Sequence, residues 1–254
     1  MRIASVLERS FIMLPGVGRR TEESLWRQGI SDWDALLGAR SVRGISPRRL
    51  ESLRGHARAL RDIEARGGLR ELGGLLPSGE RWRLLRFWDS RYAAMDIEVA
   101  RVGKAIRPVM VSLLRGDEDC ITLIRGDDLT WRRVGEALSG VDFLVTFNGT
   151  SFDTPLLIDD GFPVSGPMQL DLRRYASRSG LFGGLKRIEI DLGVRRPREL
   201  EFSTSEQVSY LWRLWEEKGS KNALDLLTEY NRQDTRSLVR LAGEIYSRLS
   251  GTTV

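Results

Sequence analysis

Residues 94–99 read Ala94-Met95-Asp96-Ile97-Glu98-Val99. Alternation with a period of two puts Met95, Ile97 and Val99 on one face of a strand and Asp96 with Glu98 on the other. A half-exposed strand with a polar outer face is one reading of this pattern. Against it, the strand opens an alternating α/β stretch, where a first strand is usually central and covered. Two carboxylates side by side on a covered face repel each other unless something positive lies between them.

Outward from this strand, two further strands are expected near Val109–Leu114 and Cys120–Ile124, separated by the turn Arg115-Gly116-Asp117. A helix follows over about Trp131–Leu138, then a strand over Phe143–Phe147 and a short strand before Asp171. Helices are expected over about Gly184–Leu192, Ser205–Glu217 and Asn222–Leu249. Hairpin-linked strands, a crossover helix and another strand predict a mixed α/β sheet flanked by helices rather than a bundle. Trp212 and Trp215 lie three apart on one of these helices. That spacing suits a stacking platform but is more often core.

The last helix carries the least ordinary residue. Leu227, Asn231, Asp234, Leu238, Leu241 and Ile245 recur at spacings of four, three, four, three and four, which is one helical face. Tyr230 borders that stripe, one turn before Asp234. A charged Asp within an apolar stripe is costly unless it is paired or holds a metal. A salt bridge from an arginine on the sheet is the alternative to a metal. A third acidic position follows the strand ending at Phe147. There Asn148-Gly149 suggests a hairpin turn, but Asp153-Thr154-Pro155 leads into a helical run instead of a returning strand. Asp153 reads as the N-cap of that run, a role compatible with catalysis.

Toward the N-terminus the reading changes. Gly67-Gly68, Gly73-Gly74 and Pro77-Ser78-Gly79 punctuate a boundary near residues 67–80. This divides the chain into residues 1–76, read as short helices, and residues 77–254. Leu14-Pro15-Gly16-Val17-Gly18-Arg19-Arg20-Thr21 would end one helix in a tight turn and start another, with free N–H groups and two arginines at its first turn. This resembles a helix-hairpin-helix, a sequence-tolerant binder of the DNA backbone. Gly16, Gly18, Arg19 and Arg20 would be its contact residues. A weaker second copy runs from Arg43 to Leu50. An ordinary αα-hairpin is the competing reading.

Composition narrows the chemistry. The chain has 254 residues with one cysteine, Cys120, and one histidine, His56. An internal disulfide, a cysteine-built zinc site and a catalytic histidine pair are excluded, and a His-based triad is disfavoured. Any catalysis must come from carboxylates, hydroxyls, lysine or a metal held by oxygen ligands. No apolar run approaches the ~18 residues that span a bilayer, and the stretch Met1–Phe11 lacks an apolar signal core. The expectation is a cytoplasmic protein with no membrane partner. Lys104, Lys186, Lys218 and Lys221 are the lysines among 40 basic residues, so arginine dominates. GC-rich coding would produce the same bias. Residues 1–90 carry a net charge of +6 and residues 91–254 a net −1, as if the first part grips a polyanion.

Taken together, Asp-x-Glu on a first strand, Asn-Gly-x-x-Phe-Asp after a later one and Tyr-x-x-x-Asp on a final helix resemble the three motifs of the DEDD exonuclease superfamily, in its tyrosine branch. Leu14-Pro15-Gly16-Val17-Gly18, Trp82-Arg83-Leu84, Asp171-Leu172-Arg173, Gly183 to Glu189 and Tyr230-Asn231 extend the likeness, over nearly the whole chain, to the YprB-like ribonuclease-H-like proteins. Two departures spare the carboxylates. Val99-Ala100-Arg101 replaces an aromatic or threonine-rich tail, and Gln169 with Leu170 stands where a histidine is usual.

The resemblance implies a ribonuclease-H-like fold and a 3′–5′ exonuclease using two Mg2+ or Mn2+ ions, with DNA favoured over RNA. Asp96 would bridge both metals, Glu98 and Asp234 would complete one ligand set, and Asp153 would serve the other metal. Tyr230 would orient the nucleophile as a neutral phenol. Asn148 and Lys186 would face nucleic acid, although a plain solvated lysine is an equal reading of Lys186. A ribonuclease-H-type endonuclease and a non-catalytic DNA-binding module remain the alternatives. Clustered carboxylates suit the first, which has no need of Tyr230. The intact set of four carboxylates argues against the second.

Overall fold

Strand β1, Tyr92–Val102, is the centre of a five-stranded sheet in the order β3-β2-β1-β4-β5. β2 (Ala105–Arg115) and β3 (Ile121–Ile124) add to one side as an antiparallel meander. β4 (Phe143–Thr146) and β5 (Met168–Asp171) add to the other side, each parallel to its inner neighbour. The mixed sheet expected from the sequence is therefore present. This computed structural model describes residues 5–86, 88–200 and 205–251, with the side chains of residues 198 and 205 excepted. Residues 1–4 of the stretch Met1–Phe11, and residues 252–254, lie outside the described residues.

Both faces of the sheet are covered. Met95, Ile97, Val111, Leu113 and Leu144 pack with Val134 of α5 (Trp131–Ala137) and Leu157 of α6 (Asp153–Asp159). On the other face Ala100 and Met110 pack with Val208 and Trp212 of α9 (Ser205–Lys218) and with Leu227 and Tyr230 of α10 (Lys221–Gly251). Glu98 is buried, so the polar outer surface is not what this strand presents. Trp212 is buried and Trp215 packs beside it, which makes the tryptophan pair core rather than a stacking platform. The remaining elements of this region are α7 (Arg173–Ala176) and α8 (Leu185–Asp191).

The chain divides into two compact units, Met1–Arg86 with Tyr246–Val254, and Phe87–Ile245, so the division falls within α10. The first unit holds α1 (Arg19–Arg27), α2 (Trp33–Gly38), α3 (Pro47–Ala65), α4 (Leu69–Leu75) and a 3-10 turn at Ser78–Leu84. The segment before Leu14 is not the expected first helix. Its described part is a series of turns, closed by Ser10 N–H to Leu7 and Leu14 N–H to Phe11. Leu7, Phe11 and Leu14 keep a helical spacing of four and three and are buried, but the N–H groups of Phe11 and Ile12 donate to Glu22 instead of along a helix. Gly16 adopts φ +69°, a conformation that favours glycine, and its carbonyl accepts from Arg49 Nη2 at 2.8 Å. α1 starts at Gly18 with no side-chain cap, leaving N–H groups for another acceptor. In the second copy Ser46 caps α3 and Pro47 occupies its first turn.

One ion cluster lies at the core of this unit. Glu22 accepts from the backbone N–H of Phe11 and Ile12, from the Ser10 hydroxyl and from Arg83. Glu80 accepts from Arg83, from the Trp82 indole and from Arg19. Arg19, expected to face phosphate, is thus tied to a buried carboxylate, although its side chain stays 59% exposed. Among the described residues no helix is long and apolar enough to cross a membrane.

Candidate active site

Two elements bring three acidic side chains together on the face of the sheet that α10 covers. β1 supplies Asp96 and Glu98, and α10 supplies Asp234. One carboxylate oxygen from each lies within 4.8 Å of the others. Asp96 is half-buried, while Glu98 and Asp234 are buried. Strand alternation aims the first two at α10, and the helical repeat aims Asp234 back at them. A bulge at Glu98/Val99 shifts the β1–β2 register beside the cluster. Asn231, one turn before Asp234's neighbour Thr235, donates from Nδ2 to Asp96 Oδ2 at 2.7 Å and so fixes that carboxylate.

The fourth carboxylate arrives on α6. Asp153 is buried, and its charge is felt at both Asp96 and Glu98. It is the first residue of its helix; the N-cap position is Phe152, with no side-chain cap. The N-cap expectation is therefore corrected. The loop before α6 turns at Asn148, which has φ +66°. Asp171 clamps this loop, accepting from the N–H of Asn148 (2.8 Å) and from the Thr150 hydroxyl (2.6 Å). Gly149 lies so close to β4 that a Cβ there would meet Thr146 Oγ1 at 2.4 Å. These contacts account for Asn-Gly without a hairpin: the dipeptide folds the chain tightly onto the end of β4 and delivers Asp153.

Electrostatically the cluster is strained. Burial, then the charge of Asp234, raises the pKa of both Asp96 and Glu98 well above the ordinary carboxylate range. Burial and Asp171 push Asp153 up to about 7. Burial raises Asp234 to about 6, against the opposing pull of Arg196. Burial and the surrounding carboxylates raise Tyr230, so its phenol stays neutral. The Asn231 Oδ1 is buried with no hydrogen-bond partner. Converging oxygen donors whose charged forms are disfavoured by burial and by one another are what a hard divalent cation requires. The donor set fits such an ion.

Two cations flank Tyr230. Lys186 Nζ lies 4.9 Å and Arg196 Cζ 5.3 Å from the centre of its ring. Lys186 also acts on Glu98 and Asp234 by charge. Arg196 hydrogen-bonds Asp234, and it comes from the loop after α8, not from the sheet. Sequence reasoning missed Arg196 and its partner Glu189. Glu189 stood inside a quoted motif without a role, and nothing in the local pattern pairs residue 196 with 234. Beside the cluster, Phe147, Asn148, Arg173, Phe182, Gly183 and Gly184 line a groove of about 730 Å³. Its Phe182 side of the opening is exposed. Gly16, Gly18, Arg19 and Arg20 lie in the other unit, as described above.

Comparison with solved structures finds a family B DNA polymerase from the hyperthermophilic archaeon Pyrobaculum calidifontis, at 21% identity and TM-score 0.47. The match covers 61% of this chain and 24% of the polymerase, so this chain corresponds to about a quarter of that protein. The Aedes aegypti Nibbler EXO domain matches at 16% identity and TM-score 0.36, covering 68% of this chain and 86% of that one. No curated protein matches the sequence. The family model described as the RNase_H superfamily matches residues 95–246, which is more than half of the chain. That span begins in the strand bearing Asp96 and Glu98 and runs through the helix bearing Asp234, and the chain belongs to the RNase H superfamily.

Proposed function

We propose that this chain is a two-metal-ion 3′–5′ exonuclease of the DEDD tyrosine branch, YprB-like in organisation, acting on single-stranded DNA. In this reading residues 1–76 form a helix-hairpin-helix domain that holds nucleic acid, and residues 77–254 form the catalytic domain. Family membership supports a nuclease. The observation that carries the finer reading is the converging group Asp96, Glu98 and Asp234, with the charge of Asp153 felt at Asp96 and Glu98 and with Tyr230 one turn from Asp234. A structural cluster would satisfy its charges; this one leaves most of them in excess.

Asp96, Glu98, Asp153 and Asp234 would hold Mg2+ or Mn2+. When bound, such ions supply charge neutralisation at the phosphate and activation of water. The chain's own groups do the positioning. Asn231 orients Asp96, and Asp171 holds the loop that delivers Asp153. The neutral Tyr230 hydroxyl orients the attacking water by hydrogen bonding. Phe147 and Phe182 offer faces for the terminal bases, and Arg173 offers a guanidinium for the backbone, in the groove beside the cluster. In the first unit, the uncapped start of α1 and Arg20 would contact the phosphate backbone without reading sequence.

Incubation of 5′-labelled single-stranded DNA, duplex DNA, RNA and a closed circular single strand with Mn2+ tests the reading. The expected result is a ladder shortening from the 3′ end of the linear DNA, an intact circle and no cleavage without metal. Cutting of the circle would make the protein an endonuclease. DNA binding without cleavage of any substrate would make it a non-catalytic module.

A further inference from the structure

The metal-binding face of Asp234 already has a cation beside it. Arg196 is buried, with its side chain 7% exposed. Its Nε and Nη2 donate to Glu189 Oε2 and Oε1 at 2.8 and 2.6 Å, and Nη2 also donates to Asp234 Oδ1. Glu189 is itself buried on α8. Nη1 is buried and has no hydrogen-bond partner. A guanidinium stays protonated at any working pH, so this charge cannot leave by titration. It must either move or be tolerated when a second cation arrives.

Asp234 is one of the three carboxylates whose oxygens converge, which sets its ion pair apart from that of Arg83 in the first unit. Two N–H groups of Nη1 stay unmet beside the ring of Tyr230. Like charges repel, so a divalent ion and Arg196 compete for Asp234. Glu189 acts in the opposite sense. It anchors Arg196 through two bonds and adds negative charge next to the site.

We propose that Arg196 is a tethered internal cation that holds Asp234 before a metal ion does and sets the affinity with which the site loads, with Glu189 as its tether. The proposal rests on the metal-dependent reading above. Arg196 is thus a positioning residue acting through Asp234. It keeps a crowded carboxylate site folded without metal, at the expense of metal affinity.

Calorimetric titration of Mn2+ into metal-stripped protein, paired with melting curves, tests this. Arg196→Met should bind Mn2+ about tenfold more tightly than the wild type, melt lower without metal and gain more in melting temperature when metal is added. Glu189→Gln should move affinity the other way, weakening Mn2+ binding several-fold. A merely structural pair would weaken metal binding in both variants. If Arg196→Met does not fold, the double variant Arg196→Met/Glu189→Gln, which leaves no unpaired buried charge, should still bind more tightly than the wild type. Equal or weaker binding in the folded variants that lack Arg196 overturns the role of Arg196 alone. Absence of Mn2+ uptake by the wild type and every variant overturns the metal site itself and this proposal with it.

Discussion

Each unit of this protein buries a knot of carboxylates and arginine, and the two knots are built to opposite specifications. In the first unit, Glu22 and Glu80 meet Arg83, Arg19, two backbone N–H groups, a hydroxyl and an indole, so their oxygens are well supplied with donors. In the second, Asp96, Glu98, Asp153 and Asp234 face one another, and among the described residues Asn231 and Arg196 donate hydrogen bonds to them. The first arrangement stabilises a fold. The second costs stability and retains an unmet appetite for positive charge, which is the physical mark of a site rather than of a core. Sharing residue types, the two knots differ in donor supply, and that difference separates structure from function.

The largest expected effect is on cleavage. Asp96→Asn should lower it by at least about 1,000-fold, as loss of a residue acting within a unit does, while the protein stays folded. Without metal, the carboxylates of the second unit should make stability fall as pH rises. Their folded-state pKa values lie above the unfolded ones, so their contribution is complete below about pH 4 and is lost as pH climbs through about 6 for Asp234 and about 7 for Asp153. Asp96→Asn should flatten this fall and raise metal-free stability at neutral pH, measured by denaturant melts across that range. Unaltered cleavage, or a steep loss of metal-free stability, would turn the second knot into a copy of the first.

Breaking the first knot should do the reverse. Arg83→Met leaves Glu22 and Glu80 buried without their shared partner, which should cost about 3–5 kcal/mol of stability in denaturant unfolding. Cleavage of a short oligonucleotide per folded molecule should be retained. A mild stability effect would mean that the first knot also tolerates excess charge.

Much of this contrast could be read in the chain itself. The period-two strand at 94–99 and the helical stripe through Asp234 carry the sheet and three of the acidic positions, because both repeats are local and regular. Asp153 stands out in the sequence, yet the loop that delivers it is held by Asp171, a sequence-distant partner that no local pattern reveals. Arg196 and Glu189 were invisible for a related reason. Their importance comes from meeting residue 234 across the sequence, and in a chain with so many arginines no single one stands out. The first segment of the N-terminal unit misled because Pro15 and Gly16 end a series of turns as readily as they end a helix.

Two smaller effects sharpen the comparison. Tyr230→Phe removes one positioned hydrogen bond and should lower single-turnover cleavage by a factor of about 10 to 1,000, with Mn2+ affinity nearly unchanged because a neutral phenol is a poor ligand for hard cations. Full activity in this variant would leave Tyr230 as packing between Lys186 and Arg196. In the first unit, Arg20→Ala should reduce the log–log salt slope of duplex DNA binding by roughly 0.9. Arg19→Ala should act mainly on melting temperature, since that guanidinium is bonded to Glu80. Equal salt slopes for both variants and the wild type would make this turn structural.

The central claim is that the second knot is a metal site, and anomalous scattering from crystals soaked in Mn2+ tests it most directly. The account predicts two anomalous peaks at the cluster. Asp96, Glu98, Asp153 and Asp234 would hold the two ions, and both peaks should vanish in Asp96→Asn. An absence of manganese at these four carboxylates in the wild-type crystal, with Arg196 still bonded to Asp234, would contradict it.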